Sequence, residues 1–250
     1  MNVSLYQAAS ALDATSRWQE VISENLASSP VPGYRKQEVS FMATSAGMRP
    51  GVNPSGLSGP QQLAIPQARS STSFMAGEMK YTGEKTHVAI DGKAFFEVQL
   101  PSGDTAYTRD GEFQVNSQGQ LVTKQGYPVL SEGGPIMVEI DRPEPLSISP
   151  SGEISQGTET KGKLKLTAFG DESRLQQIGT GLFTAEDPGA QPTGAGGATV
   201  RQGWLEGSNA SVVGEMANLL TAMRTYEANQ RVIQLHDERM GKAISELSNA

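Results

Sequence analysis

From Val212 to Leu247 apolar positions recur in alternating steps of four and three residues. The series runs Val212, Met216, Leu219, Met223, Tyr226, Ile233, Met240, Ile244 and Leu247, interrupted by polar Gln230 and Asp237. A sustained 3.5-residue period is the mark of a coiled-coil seam. A weaker copy lies at the other end of the chain: Leu5, Ala8, Leu12, Thr15, Gln19, Ile22 and Leu26. The pattern predicts a helix over residues 3–28, stopped by the Pro30–Gly33 run, and a second from about Ser211 to Ser248. Ser208 and Asn209 offer caps for the second helix.

Between the helices the period changes. Residues 87–90, 94–100, 105–109, 112–116, 120–123, 136–140 and 163–169 are short runs rich in branched and aromatic side chains. Glu112-Phe113-Gln114-Val115-Asn116 and Lys163-Leu164-Lys165-Leu166 alternate as half-buried strands do. Turn pairs such as Asp91-Gly92, Asp110-Gly111 and Gln125-Gly126 separate the runs, which predicts an antiparallel sandwich or barrel-like sheet. Residues 39–73 show no period, and prolines alternate there with glycines, so the expectation is an extended connector arm that orders against a neighbour. The Gly189–Gly197 stretch reads as a hinge.

The predicted fold class is α+β: paired N- and C-terminal coiled-coil helices and a central antiparallel all-β domain. The expected divisions are a discontinuous helical stem of residues 1–35 and 207–250, a connector at 36–79 and a β domain at 80–206. An amphipathic helix ordinarily packs on its own core. Two seams of long period, at opposite ends of the chain, instead point to self-assembly. Leu5, Leu12, Ile22 and Leu26 are its candidate contacts on the first helix, with the nine apolar seam positions on the second. The cost of ordering helices this long offsets much of what their seams gain by burial, so their folding should be coupled to covering by neighbours.

Composition narrows the function. The net charge of −7 comes without a basic run, which argues against nucleic acid and anionic membranes as partners. There is no cysteine, hence no disulfide and no thiolate chemistry. No apolar stretch approaches ~20 residues, so membrane insertion is not expected, and the N-terminal residues do not form a cleavable secretory signal.

Candidate chemistry is sparse. His87 and His236 are the only histidines and show no metal-ligand spacing. Gly194–Gly197 lacks the lysine of a phosphate loop. Glu97, Asp104 and Asp110 are the carboxylates to examine for hydrolytic chemistry on cell-wall polymers. The expectation is no enzyme activity, no cofactor and no metal; a soluble coiled-coil binding module is the alternative from a different class.

Three ordered stretches carry a resemblance. Asn25-Leu26-Ala27-Ser28-Ser29-Pro30-Val31-Pro32-Gly33-Tyr34-Arg35 resembles the motif that follows the first helix in flagellar rod and hook axial proteins, with Ser28 and Val31 replacing the usual Asn and Thr. Asp91-Gly92, Phe95-Phe96, Tyr107–Phe113 and Gly119–Thr123 resemble that family's central signature. Gly207-Ser208-Asn209, Glu215-Met216 and Tyr226–Gln230 resemble its C-terminal one. The resemblance implies a non-enzymatic rod subunit, exported through the flagellar type III apparatus without signal cleavage. It also implies polymerisation in the periplasmic basal body with copies of itself and with neighbouring rod and hook proteins. Chain length and one compact β domain favour the proximal rod, with the distal rod the near alternative and the hook less favoured.

Overall fold

A computed structural model describes residues 3–52, 58–140, 144–195 and 197–248. The chain divides into two compact units. One comprises residues 1–26, 37–71 and 212–250; the other comprises residues 27–36 and 72–211.

In the first unit, α1 spans Val3–Ser28 and α2 spans Val212–Ser248 without a break. At 37 residues α2 is about 55 Å long. Among the described side chains of α1 the buried positions are Ala8, Ala14, Thr15, Ile22, Asn25 and Ser28, the first five on or beside the expected seam. The connector is more regular than its sequence suggests. β1 (Gln37–Val52) and β2 (Ser58–Thr72) form a two-stranded sheet. Ser40 Oγ donates to the Arg69 carbonyl at 3.4 Å, and Thr44 pairs with Gln67 at 2.9 Å, so the strands run antiparallel. Trp18 of α1 meets Phe41 of β1 edge-on, with ring centroids 5.6 Å apart. Prolines normally forbid strands because they remove a ladder donor. In a two-stranded sheet each strand has a free edge, so Pro50, Pro60 and Pro66 can be accommodated. Residues 53–57, part of the expected arm, lie outside the described residues.

The second unit is mainly β, with a short 3-10 turn at Glu172–Arg174. β3 (Met79–Tyr81) pairs with Trp204–Glu206, and β4 (Val88–Asp91) pairs with Thr199–Gln202. A six-stranded antiparallel sheet runs in the order Gln176–Gly179, Leu182–Thr184, β6 (Thr105–Thr108), β5 (Ala94–Gln99), Leu166–Phe169, Pro192–Gly194. A smaller antiparallel sheet joins Leu146–Ile148, Glu153–Gln156 and Glu159–Lys163.

Period-two alternation places neighbouring aromatics of β5 in two cores. Phe96 and Val98 join a cluster with Phe113, Leu121, Ile136 and Ile154. Phe95 joins a second cluster with Phe169, Leu175 and Phe183. β5 is therefore buried on both faces from Ala94 to Val98, with Glu97 the one charged side chain among them.

Three sequence expectations change. Residues 136–140 keep the burial alternation, with Ile136 buried and Met137 exposed, but make isolated contacts instead of a ladder. The run 163–169 breaks at Leu164-Lys165, where the chain changes partners: Leu164 N–H donates to Gly152 and Lys165 N–H to Leu130. The expected hinge contains an edge strand, Pro192–Gly194, paired with Thr167–Phe169.

Candidate assembly framework

The motif residues are stitched together mainly by backbone contacts. At the exit of α1, Asn25 behaves as a one-residue ladder. Its side-chain amide donates to the Gln37 carbonyl and its carbonyl oxygen accepts the Gln37 N–H, both at 2.8 Å. Asn25 is buried, so both bonds form away from water.

In the β unit, the loop after α1 meets the entry to α2. Gly33 N–H donates to the Glu206 carbonyl at 2.7 Å, and Asn209 N–H donates to the Tyr34 carbonyl at 3.3 Å. Tyr34 is fully buried. Gly33 has φ +66°, and an added Cβ would sit 2.3 Å from the Arg109 carbonyl carbon, so only glycine fits. Asn209 does not cap α2, as its type suggested. Its side chain accepts from Lys36 N–H at 2.7 Å and donates to the Ser73 and Met75 carbonyls at 2.8 and 2.9 Å. Ser208 turns inward too, accepting from Ala210 N–H. Gly207 N–H donates to Glu78, while Gly77 approaches so closely that a Cβ there would lie 1.9 Å from the Gly207 carbonyl oxygen. α1 ends at Ser28, two residues before Pro30, with Leu26 and Ala27 on its last turn, and Pro32 lies in the turn that follows.

A buried charge cluster sits beneath these loops. Glu206 pairs with Arg35 at 2.7 Å and with Arg109 at 3.2 Å, and it also accepts Gly77 N–H at 2.9 Å. All three charged side chains are at most 5% exposed. Arg109 donates further to the Ile90 and Gly92 carbonyls and lies 5.1 Å over the Phe95 ring. Burial pushes the Arg109 guanidinium below its ordinary range, and Glu206 opposes that shift. One carboxylate between two guanidinium groups links all three motifs: Arg35 from the first, Arg109 from the central one, Glu206 beside the last. Sequence reasoning had singled out neither Arg35 nor Glu206 as functional. The available signal was charge adjacent to motif glycines.

The candidate carboxylates take structural roles. Glu97 is buried, pairs with Lys165 at 2.9 Å and accepts from the Thr167 hydroxyl. Asp104 accepts from Ser102 Oγ at 2.7 Å in an exposed turn. Asp110 is buried and accepts the Glu112 N–H at 2.9 Å; burial pushes its pKa up to about 6. Among the described residues no cluster of His, Asp or Glu is placed to hold a metal, and no helix is long and apolar enough to cross a membrane. His87 Nδ1 lies 3.0 Å from Thr82 Oγ1.

The seam on α2 divides in two. The shielded column is Glu215, Leu219, Ala222, Tyr226, Asn229, Ile233 and His236, still in alternating fours and threes. Leu219, Tyr226 and Ile233 belong to the expected seam. Val212, Met216, Met223, Met240, Ile244 and Leu247 do not join the shielded column and are 43–80% exposed. On α1, Ile22 is buried and Leu12 and Leu26 are half-buried, while the Leu5 side chain lies outside the described residues.

An α+β chain whose buried polar groups lock its own framework, and whose longest helix leaves apolar positions open, has the build of an assembly subunit. The description "Flagellar hook protein FlgE/F/G D1 domain" fits residues 89–156, and "Flagellar basal body rod FlgEFG protein C-terminal" fits residues 201–246. The chain is 32% identical over 259 residues to flagellar basal-body rod protein FlgG of Buchnera aphidicola from Schizaphis graminum, covering 96% of this chain and 97% of that one. It is 31% identical over 258 residues to flagellar basal-body rod protein FlgF of Escherichia coli K12, covering 99% of both. FlgF of Salmonella typhimurium is 32% identical over 262 residues, again with 99% of both chains covered. The chain belongs to the flagellar basal-body rod protein family.

Proposed function

We propose that this protein is a structural subunit of the bacterial flagellar basal-body rod, polymerised into the periplasmic drive shaft. The observation that carries this reading is the exposed apolar face of α2, on a chain that belongs to a rod family over its whole length. Each such side chain contributes about 1.5–3 kcal/mol when a neighbour covers it fully, and α2 repeats the opportunity along its length. In this reading α1 and α2 pair as a coiled-coil stem. The assembly contacts are Leu5, Leu12, Ile22 and Leu26 with the apolar seam of α2, and the β1–β2 sheet reaches a neighbour. The partners are further copies, adjoining rod and hook proteins and, in transit, the flagellar export apparatus. A chain without cysteine carries no disulfide to obstruct passage in unfolded form.

The particular position proposed is the proximal rod, supported by a chain length of 250 residues with one β unit. Electron microscopy of basal bodies from cells lacking the gene tests both levels. A rod that is absent or stops near its base is the expected result; one that stops just short of the hook reassigns the chain to the distal rod. Complete rods and hooks would overturn the structural role.

A further inference from the structure

One face of the six-stranded sheet changes character along β5. Phe95 and Glu97 are two residues apart and so share that face. Phe95 packs among Phe169 and Phe183 in the apolar half. Glu97 begins a polar half: Tyr107 lies directly opposite it on β6, and Lys165 and Thr167 reach it from the other side. The Glu97 carboxylate is 5% exposed and accepts from the Thr167 hydroxyl and, at 2.9 Å, from the Lys165 ammonium. Burial, and then the Glu97 charge, push the Tyr107 phenol above its ordinary range, so it keeps its proton. Over this polar half lies a groove of about 730 Å³, inside the roughly 300–1,000 Å³ range of ligand pockets. Its charged lining residues balance, with Glu97 paired to Lys165 and Glu132 paired to Lys163 at 3.2 Å. A buried ion pair adds little net stability over apolar side chains of similar volume, so holding strands together does not account for this polar set.

We propose that this groove binds an uncharged sugar chain. A sugar hydroxyl both donates and accepts, and the groove sets acceptors beside donors: the carboxylates accept, while the ammonium groups and the phenol donate. The balanced charge removes the net attraction that would select a phosphate-bearing or polybasic ligand. The floor consists of side chains on a sheet face, whereas an extended peptide pairs with an open backbone edge. The groove is lined from β6, β5 and the strands Leu166–Phe169 and Pro192–Gly194, which are consecutive in the sheet. At about 4.8 Å between neighbouring strands it is roughly 14 Å across, long enough for a short oligomer. Glycan strands of the cell wall and soluble glucans share this chemistry. The inference uses residues of the β unit alone and goes beyond the rod reading, which is carried by α2.

Titration of the full-length monomer, followed by NMR chemical shifts, tests the site with chitotetraose, maltotetraose and tetraalanine as probes. The expected result is saturable binding of at least one sugar, with shifts at Glu97, Tyr107 and Thr167, and none with tetraalanine. Preference for chitotetraose assigns the groove to wall glycan, preference for maltotetraose assigns it to soluble glucans, and equal binding supports a site that reads hydroxyls alone. Lys165→Met should weaken binding about tenfold, the scale of one lost charged hydrogen bond. Thr193→Trp, at an exposed lining position, fills the groove while leaving both ion pairs in place and should abolish binding. Lys124→Gln, outside the groove, should change nothing. If circular dichroism shows that Lys165→Met does not fold, Thr193→Trp decides. The proposal is overturned if neither sugar saturates, if Thr193→Trp binds as the parent does, or if tetraalanine binds. None of these outcomes bears on the rod reading, which deletion of the gene tests separately.

Discussion

At the residue scale the most consequential group is Glu206, because it is the shared counter-charge of Arg35 and Arg109 in a buried site. Removing one member of a buried ion cluster leaves an uncompensated charge, which costs about 3–5 kcal/mol. Glu206→Gln is therefore expected to lower the urea midpoint of the purified protein sharply, while an exposed control such as Glu132→Gln leaves it unchanged. Asp110 acts in the opposite sense. Its folded pKa of about 6 lies above the unfolded carboxylate value, so the folded state holds a proton that the unfolded state has released. Stability from this group is fully present below about pH 4 and is lost as pH rises to about 6. The loss approaches ~3 kcal/mol, since each pKa unit corresponds to about 1.4 kcal/mol. Asp110→Asn keeps the acceptor for Glu112 N–H and removes the charge. The variant should be more stable than the parent at pH 7.5 and should lose this group's share of the fall between pH 4 and 6, as urea titrations at the two ends would register.

At the element scale, the exit of α1 depends on a side chain that imitates a strand. Asn25→Ala removes the two bonds that the side chain makes to the N–H and carbonyl of Gln37. Each lost bond costs about 0.5–1.5 kcal/mol, and the variant should show faster hydrogen exchange at Gln37 with α1 otherwise intact. α2 offers a gain instead. Gly241 sits in its last turns with nothing within 4 Å of where a Cβ would lie. Gly241→Ala should raise helix content and add roughly 0.5–1 kcal/mol to helix stability, because glycine loses the most backbone freedom on ordering. Thermal scans of the α2 helical signal by circular dichroism check this. The contrast with Gly33 is instructive: one glycine is required by a positive φ and a backbone approach, the other by nothing visible in the fold.

At the scale of the whole molecule, the two units have different thermodynamic character. The β unit encloses two hydrophobic clusters and a buried charge cluster. The far end of α2 exposes every residue from Asp237 to Leu247. Local stability follows burial, so the chain should open first where contacts are fewest. Hydrogen exchange of the monomer is expected to show fast exchange over residues 237–247 and slow exchange over β5 and β6. Upon assembly, the first region should become protected while the second changes little. Equal protection of residues 237–247 in both states would mean that assembly leaves this end uncovered.

Periodicity by itself determined the two helices, with α1 matching residues 3–28 and α2 beginning at Val212, because a 3.5-residue repeat without internal proline admits little else. It also determined a central antiparallel β region, through alternation and turn pairs. The motif residues were legible as a set, but their joint purpose was not: Asn209 reads as a cap by type and becomes a stitch through its bonds to Lys36, Ser73 and Met75. The connector looked irregular since prolines disfavour strands, and only pairing with free edges reveals β1 and β2. The polar strand Glu159–Lys163 was illegible for a related reason, since its order comes from neighbours and not from its own side chains. Tertiary structure alone decided which half of the α2 seam is covered. A repeat specifies that a stripe of apolar groups lies along a helix, whereas the column that meets its own chain depends on rotation about the helix axis. One residue step turns a helix by about 100°, which places Ala222 inside and leaves Met223 open.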